Sequence, residues 1–288
     1  MKSPFILENQ TEYQKWREHK LSLYPININK SSIIFDDNKK IDNNKINQLK
    51  NIIKKYNFAI YEFTSKLNDN HLLDFCTKLD LIDFVSNLLA DNKGISNITD
   101  QKNKTSKLQS VEYIPYTNKQ LNWHTDGYYY PINASVKSFL LHCMSPAENG
   151  GGNILLDHEI IYIYLRDHNP EFIKILMQSN IMEIPKNKNI ENSHPIIGPV
   201  FYTDEDDFLN MRFTSRQKNI VWKKNDMIKK IKDFIYGFII DDNKYKFSIL
   251  LKENQGYIAN NILHKREEYT DGANKRLLKR LRFSKRIK

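Results

Sequence analysis

The stretch NWHTDGYYYP, residues 122–131, sets His124 and Asp126 two positions apart. On an extended strand, residues i and i+2 point to the same face. One imidazole and one carboxylate can therefore converge on a single ion. Two histidines and one carboxylate, with the remaining positions open, form the donor set of non-haem Fe(II) oxygenases. A His-x-Asp by itself recurs by chance, and a hydrogen-bonded histidine in a surface loop satisfies the same spacing. The choice between these turns on the rest of the chain.

The sequence has eight histidines. His19 lies in a charged N-terminal stretch. His71, His168 and His194 stand beside turn residues, His142 is in an apolar run, and His158 opens a predicted helix. These read as structural or solvated. His264 differs, because it follows the β-like run GYIANNIL and is followed by Arg276 and Arg280. If the closing run KRLLKRLRFS is a strand, the even separation of the two arginines puts them on one face. That face can look inward or out to solvent. A guanidinium binds a carboxylate bidentately, which suits the distal end of a dicarboxylate.

Outward from these residues, the 288-residue chain is 40% hydrophobic and 12% aromatic, enough for a sizeable core and too much for a disordered protein. No apolar run reaches the length of a membrane span, and the opening MKSPFILENQTEYQKW has no signal-peptide core. Cys76 and Cys143 stand in unrelated contexts, offer no disulfide framework, and fit a reducing, cytoplasmic location. The net charge is +10 and gathers in the C-terminal KRLLKRLRFSKRIK, while Lys, Asn and Ile are abundant throughout. A dispersed basic surface is usually solvated, so a nucleic-acid partner is not expected.

Along the chain, residues 1–30 read as an extended, irregular entry. Ile46, Leu49, Ile52, Ile53 and Tyr56 have helical spacing. A strand is expected over Phe58–Phe63, a helix from about Asn70 to Cys76, and another over Leu81–Leu89. The polar ADNKGISNITDQKNKTSK reads as a mobile loop or lid. LQSVEYIP and SVKSFLLHC are strand-like, and ENGGGN is a loop. Asp157 and Asn169 are helix caps, the second followed by Pro170 at the first helical position. IGPVFY and FLNMRFTSR read as strands, NDMIKKIKDFIYGFI as an amphipathic helix, and KFSILLKENQGYIANNILHKR as two strands about a turn. Without repeats or an interdomain linker, the expectation is a single domain over residues 1–288. It is mostly β with flanking helices, and residues 1–100 form an N-terminal α/β elaboration.

The order WHTDG, a glycine loop, then a late His followed by R-x-x-x-R resembles the taurine catabolism dioxygenase family. That family belongs to the clavaminate synthase-like 2-oxoglutarate oxygenases. The resemblance runs from about residue 40 to the C-terminus and implies a double-stranded β-helix, or jelly-roll, core. It implies that His124, Asp126 and His264 hold Fe(II), and that Arg276 pairs with the remote carboxylate of 2-oxoglutarate. Asn153 falls where relatives commonly carry a Thr that donates to the co-substrate; an amide can also donate. Arg280 matches a residue that reaches substrate. Many relatives have an Asp-Asn pair several residues before the distal His, whereas Asn260 and Asn261 here stand closer to His264. The chemistry implied is oxidative decarboxylation of 2-oxoglutarate by O2, giving succinate and CO2, coupled to substrate hydroxylation. The carboxylate of Asp126 argues against halogenation, for which relatives carry a small residue there.

The substrate is less legible. In MRFTSR, Arg212, Thr214 and Arg216 share one face, so Arg212 either binds an anionic substrate or lies on a solvated edge. Trp123, Tyr128–Tyr130, Gln109 and Tyr113 are pocket candidates, with aromatic strand packing the ordinary reading for most of the tyrosines. Arg212 and Arg280 add cationic capacity beyond 2-oxoglutarate, which points to a small carboxylate-bearing metabolite such as an amino acid or derivative. Two other readings stand: a jelly-roll protein that holds a metal without turnover, and an oxygenase acting on a polyanion. The polyanion reading needs aromatics among the basic tail residues, and only Phe283 is there.

Overall fold

In the computed structural model, residues 2–26, 32–36, 41–85, 91–100, 114–186 and 194–288 are described. Two antiparallel assemblies position the site. The larger is a six-stranded sheet, in the order Ser32–Phe35, Phe58–Phe63, Gln255–Ala259, Ser138–Ser145, Leu277–Phe283, Ser96–Ile98. Only its first pair is parallel. The smaller is a four-stranded sheet, in the order Lys246–Ile249, Asn153–Leu156, Leu263–Arg266, Leu121–His124.

The strands of the larger sheet are apolar on both faces because both faces are covered. Ala59, Tyr61, Phe63, Leu140, Leu281 and Phe283 pack against helices Asn43–Tyr56 and Asp69–Lys78 through Leu49, Ile53, Leu72 and Phe75. The alternate residues Ile60, Phe139, Leu141, Tyr257 and Leu278 face the other way. There they meet Leu155 of the smaller sheet and Ile262, which precedes its Leu263–Arg266 strand. The outer face of the smaller sheet, through Trp123, Leu156 and Leu263, lies under helices His158–His168, Pro170–Leu176 and Asp226–Ile240. The order is thus helices, large sheet, small sheet, helices.

Local chemistry sets the helix ends. Asp42, Asn68, Asp157, Asn169 and Asn225 each accept a backbone N–H of the first turn. Each such cap is worth about 1 kcal/mol. Asn57 ends its helix in the left-handed region at φ 61° and turns the chain straight into the Phe58–Phe63 strand.

Several expectations need correction. Helices and strands take near-equal shares of the described residues, so the fold is mixed α/β with many antiparallel strands, not mostly β. The entry is not irregular throughout: Gln10–Ser22 is a helix. Its buried positions are Tyr13 and Lys20, and a lysine does not register as apolar. Within the first hundred residues, Tyr13 packs with the helices beside the smaller sheet, whereas Ile46 to Leu81 cover the larger one.

Part of the polar 90–107 segment is the edge strand Ser96–Ile98, paired with Leu278–Arg280, while 101–107 lies outside the described residues. Leu81–Val85 is not helical, and 86–89 lies outside them too. So do residues 108–113 of LQSVEYIP, including Gln109 and Tyr113; residues 114–116 form a single 3-10 turn. IGPVFY is broken at Pro199 into strands of different sheets. The stretch 246–266 makes three strands, because the chain passes from the larger sheet to the smaller one between Ala259 and Leu263, with Asn261 at φ 45°.

Candidate metal centre

Strand alternation delivers the donors. On the smaller sheet Trp123, Leu156 and Leu263 point outward, so His124, Leu155, Asn153 and His264 point toward the larger sheet. His124 and His264 are direct register partners, and their ring centroids are 4.3 Å apart. The His264 ring rests 4.8 Å from that of Phe139 on the facing sheet.

Both imidazoles are fixed in the same tautomer. His124 Nδ1 lies 2.8 Å from the Asn122 carbonyl, and His264 Nδ1 lies 3.0 Å from that of Ile262. A carbonyl only accepts, so each Nδ1–H donates and each Nε2 keeps its lone pair for the site. Burial, then the neighbouring His124, lowers the His264 pKa to about 3, which keeps it neutral.

Asp126 reaches the site differently from the expected i, i+2 strand. The strand ends at His124, and Asp126 is held by a side chain from elsewhere. Asn261 Oδ1 accepts the Asp126 N–H at 2.7 Å, and Asn261 Nδ2 donates to the Asp126 carbonyl at 2.9 Å and to Val136 O at 2.7 Å. Gly127 then turns the chain at φ 68°, where a Cβ would stand 2.6 Å from Val136 Cγ2. Asp126 Oδ1 is 3.7 Å from His124 Nε2. One ligand atom each of His124, Asp126 and His264 lies within 4.8 Å of the others, and all three residues are buried. Burial alone would raise the Asp126 carboxyl, but Arg280 and Arg282 outweigh it and hold it well below the usual carboxylate range.

Around this point lie polar atoms that are buried and have no hydrogen-bond partner among the described residues. They include Asp126 Oδ2, Asn153 Nδ2, Arg276 Nη1 and Arg280 Nε. His124, His264, Asn153, Arg276 and Arg280 line one cavity with Phe139, Leu141, Tyr257 and Leu278. The face of the last strand left open by the sequence is thus the inward one. Gly151, at φ 75°, lets Arg276 lie close: a Cβ there would be 3.1 Å from Arg276 Nε. This donor set fits a divalent cation bound by two neutral imidazoles and one carboxylate, with an anion beside it.

Arg212 is not brought to this cavity. Its guanidinium donates to four backbone carbonyls, those of Tyr128, Met182, Gly198 and Ile196, at 2.8–3.3 Å. These bonds tie three segments together. Arg216 is exposed and donates to Tyr128 Oη at 3.2 Å. Trp123 belongs to the outward core. The basic tail is internally paired. Lys279, Arg280, Arg282, Lys285, Arg286 and Lys288 each face an acid of the same chain.

Sequence reasoning missed Asn261, Tyr257 and Arg282. Arg282 had a signal, since it stands two residues beyond Arg280 and must share its face. Asn261 was noted only for its closeness to His264; its role of holding Asp126 could not be read, because its partners are over a hundred residues away.

Fold and site together define a class: two facing β-sheets that gather two histidines and a carboxylate at one buried point. The chain belongs to the taurine catabolism dioxygenase TauD, TfdA family, whose profile matches residues 20–282. Two curated relatives are named uridine-5'-phosphate dioxygenase. The one from Streptomyces sp. is 28% identical over 173 residues, covering 58% of this chain and 62% of the relative. The one from Amycolatopsis sp. is 25% identical over 160 residues, covering 52% and 55%. The chain thus spans less than two thirds of the length of either. Among solved structures, an asparagine oxygenase in complex with Fe(II), 2S,3S-3-hydroxyasparagine and succinate shares the fold. Its TM-score is 0.61 at 12% identity, covering 84% of this chain and 79% of that one. Among the described residues, no helix is long and apolar enough to cross a membrane.

Proposed function

We propose that this chain is an Fe(II)- and 2-oxoglutarate-dependent dioxygenase that hydroxylates a small anionic metabolite, with His124, Asp126 and His264 as the iron ligands. The observation that carries this reading is the convergence of two imidazoles and one carboxylate beside buried donors that lack hydrogen-bond partners among the described residues. Iron(II) bound there would supply, with O2, the oxidative decarboxylation of 2-oxoglutarate to succinate and CO2, the second oxygen atom entering the substrate as hydroxyl.

The chain's own residues bind, orient and exclude water. Arg276 and Asn153 take the distal carboxylate of 2-oxoglutarate, which would satisfy Arg276 Nη1 and Asn153 Nδ2 together. Leu141, Phe139 and Leu278 make an apolar lining that strengthens each charge contact. Arg280, on the same cavity, takes the anionic group of the substrate. The two facing sheets would form a double-stranded β-helix within a single domain over residues 1–288. The free, buried Cys76 and Cys143 suit a reducing, cytoplasmic compartment.

For the substrate, the first reading is a carboxylate-bearing metabolite such as an amino acid or derivative. It is supported by Arg280 and by the shared fold of an asparagine oxygenase. The names of the two curated relatives favour a second reading, a nucleoside 5'-phosphate, which the same guanidinium could hold. The test is CO2 release from 2-oxoglutarate labelled at C1, with iron-loaded protein and each compound in turn. Stimulation by an amino acid supports the first reading and stimulation by uridine 5'-phosphate the second. No 2-oxoglutarate-dependent release from protein shown to hold iron would overturn the oxygenase reading and leave a metal-holding binding protein.

A further inference from the structure

Asp126 is met by two arginines of one strand. Arg280 Nη1 lies 3.4 Å from Oδ1, and Arg282 Nε lies 3.9 Å from Oδ2. At 3.9 Å the second contact is an ion pair and not a hydrogen bond. The two guanidiniums differ in their surroundings. Arg280 lines the cavity shared with Arg276 and Asn153. Arg282 is only 3% exposed and donates through Nη1 to Tyr129 Oη at 3.0 Å. Tyr129 stands in the turn just after Asp126, closed by a Tyr130 N–H to Gly127 O bond of 2.8 Å. Arg282 is therefore tethered to the segment that carries Asp126, while Arg280 is placed to turn toward a ligand.

We infer that Arg282, anchored by Tyr129, is the positioning residue for Asp126. It holds Oδ2 aside and leaves Oδ1, beside His124 Nε2, as the single donor atom. It also keeps a cation on the carboxylate when Arg280 turns to a substrate anion. A carboxylate binding through both oxygens would close a coordination position that a chelating 2-oxo acid and O2 need. This inference rests on the reading that the triad holds a metal.

The experiment is titration of metal-free protein with Co(II) alone, in the absence of 2-oxoglutarate, read by affinity and by the d–d absorption spectrum. The proteins compared are wild type, Arg282→Gln, Arg282→Lys and Tyr129→Phe. Loss of an outer partner of a metal ligand typically costs roughly 10–100-fold in affinity. Arg282→Gln is expected to lose about tenfold or more and to change its spectrum. Arg282→Lys should recover part of that loss. Tyr129→Phe, at a residue 39% exposed and therefore safe for folding, should shift both readouts in the same direction by less. Wild-type affinity and spectrum in Arg282→Gln and Tyr129→Phe would overturn the positioning role and leave the triad intact. A wild type that binds no Co(II) would overturn the inference together with the metal reading.

Discussion

Two clusters of buried charge lie in this molecule, and they are completed differently. Around Lys20 the charged side chains are paired with one another. Its Nζ lies 2.5 Å from Asp157 Oδ2 and 2.6 Å from Glu159 Oε2, and it donates to the Lys55 carbonyl at 2.8 Å. Tyr24 and Asn57 donate to Asp157 at 3.1 and 3.0 Å, and Arg286 lies 3.7 Å from Glu159. The cluster joins the entry helix, the Asn43–Tyr56 helix, the His158–His168 helix and the C-terminal tail. Around Asp126 the same kinds of groups are left with Asp126 Oδ2, Asn153 Nδ2, Arg276 Nη1 and Arg280 Nε without hydrogen-bond partners among the described residues. An unsatisfied buried polar group costs about 1–3 kcal/mol, so several facing one cavity point to a ligand that completes them. The first cluster is a structural junction, and the second is the site of the proposed function.

The largest effect expected from this contrast is at the site. Asp126→Ala or His264→Ala should abolish Fe(II) binding and 2-oxoglutarate turnover. The loss should exceed the roughly 10–100-fold typical of an outer partner, measured by metal content and succinate formation. Unchanged iron content in both would place the metal elsewhere. Lys20→Met should act on the other side of the comparison. Breaking a buried ion cluster costs about 3–5 kcal/mol, read as a lower urea midpoint. The 2-oxoglutarate affinity of the folded fraction should be unchanged, and a specific loss of that affinity would break the contrast.

His142 sharpens it. Both its ring nitrogens are buried without a hydrogen-bond partner among the described residues, and its ring lies 5.8 Å from Tyr61, nearly parallel, and 6.2 Å from Phe63. Burial lowers its pKa to about 4. The unfolded chain therefore takes up the proton first as pH falls. The stability contributed by neutral His142 is present above the ordinary histidine value and is lost toward pH 4. By linkage this amounts to about 3 kcal/mol. His142→Phe should remove that acid sensitivity in pH-dependent denaturation and leave 2-oxoglutarate binding intact. An unchanged pH profile would contradict it. The smallest effect is at Arg276→Lys, which keeps charge but loses the fork. The expected cost is about 1.5–3 kcal/mol, or roughly tenfold to hundredfold in 2-oxoglutarate affinity by calorimetry, with the fold unchanged.

The same contrast explains what was legible in the sequence. Asn153 and the role of Arg276 came from the family resemblance, whereas His124 and His264 could be singled out because residue type and strand context are local properties. The caps at Asp157 and Asn169 were legible for the same reason. The Gln10–Ser22 helix was not, because its buried Lys20 has its acids at positions 157 and 159. The setting of Arg212 was not legible, because an arginine bound to four carbonyls of distant segments looks, in sequence, like an arginine awaiting a substrate. Asp126 was found for an incomplete reason: its placement depends on Asn261 as much as on its spacing from His124.

The most direct test of the site is anaerobic addition of Fe(II) and 2-oxoglutarate, watching for the weak visible charge-transfer band of the chelate. The expected result is a band in the wild type that His124→Ala and Arg276→Ala both lose. Iron shown to be bound in the wild type with no band on adding 2-oxoglutarate would contradict the assignment of the cavity beside Arg276.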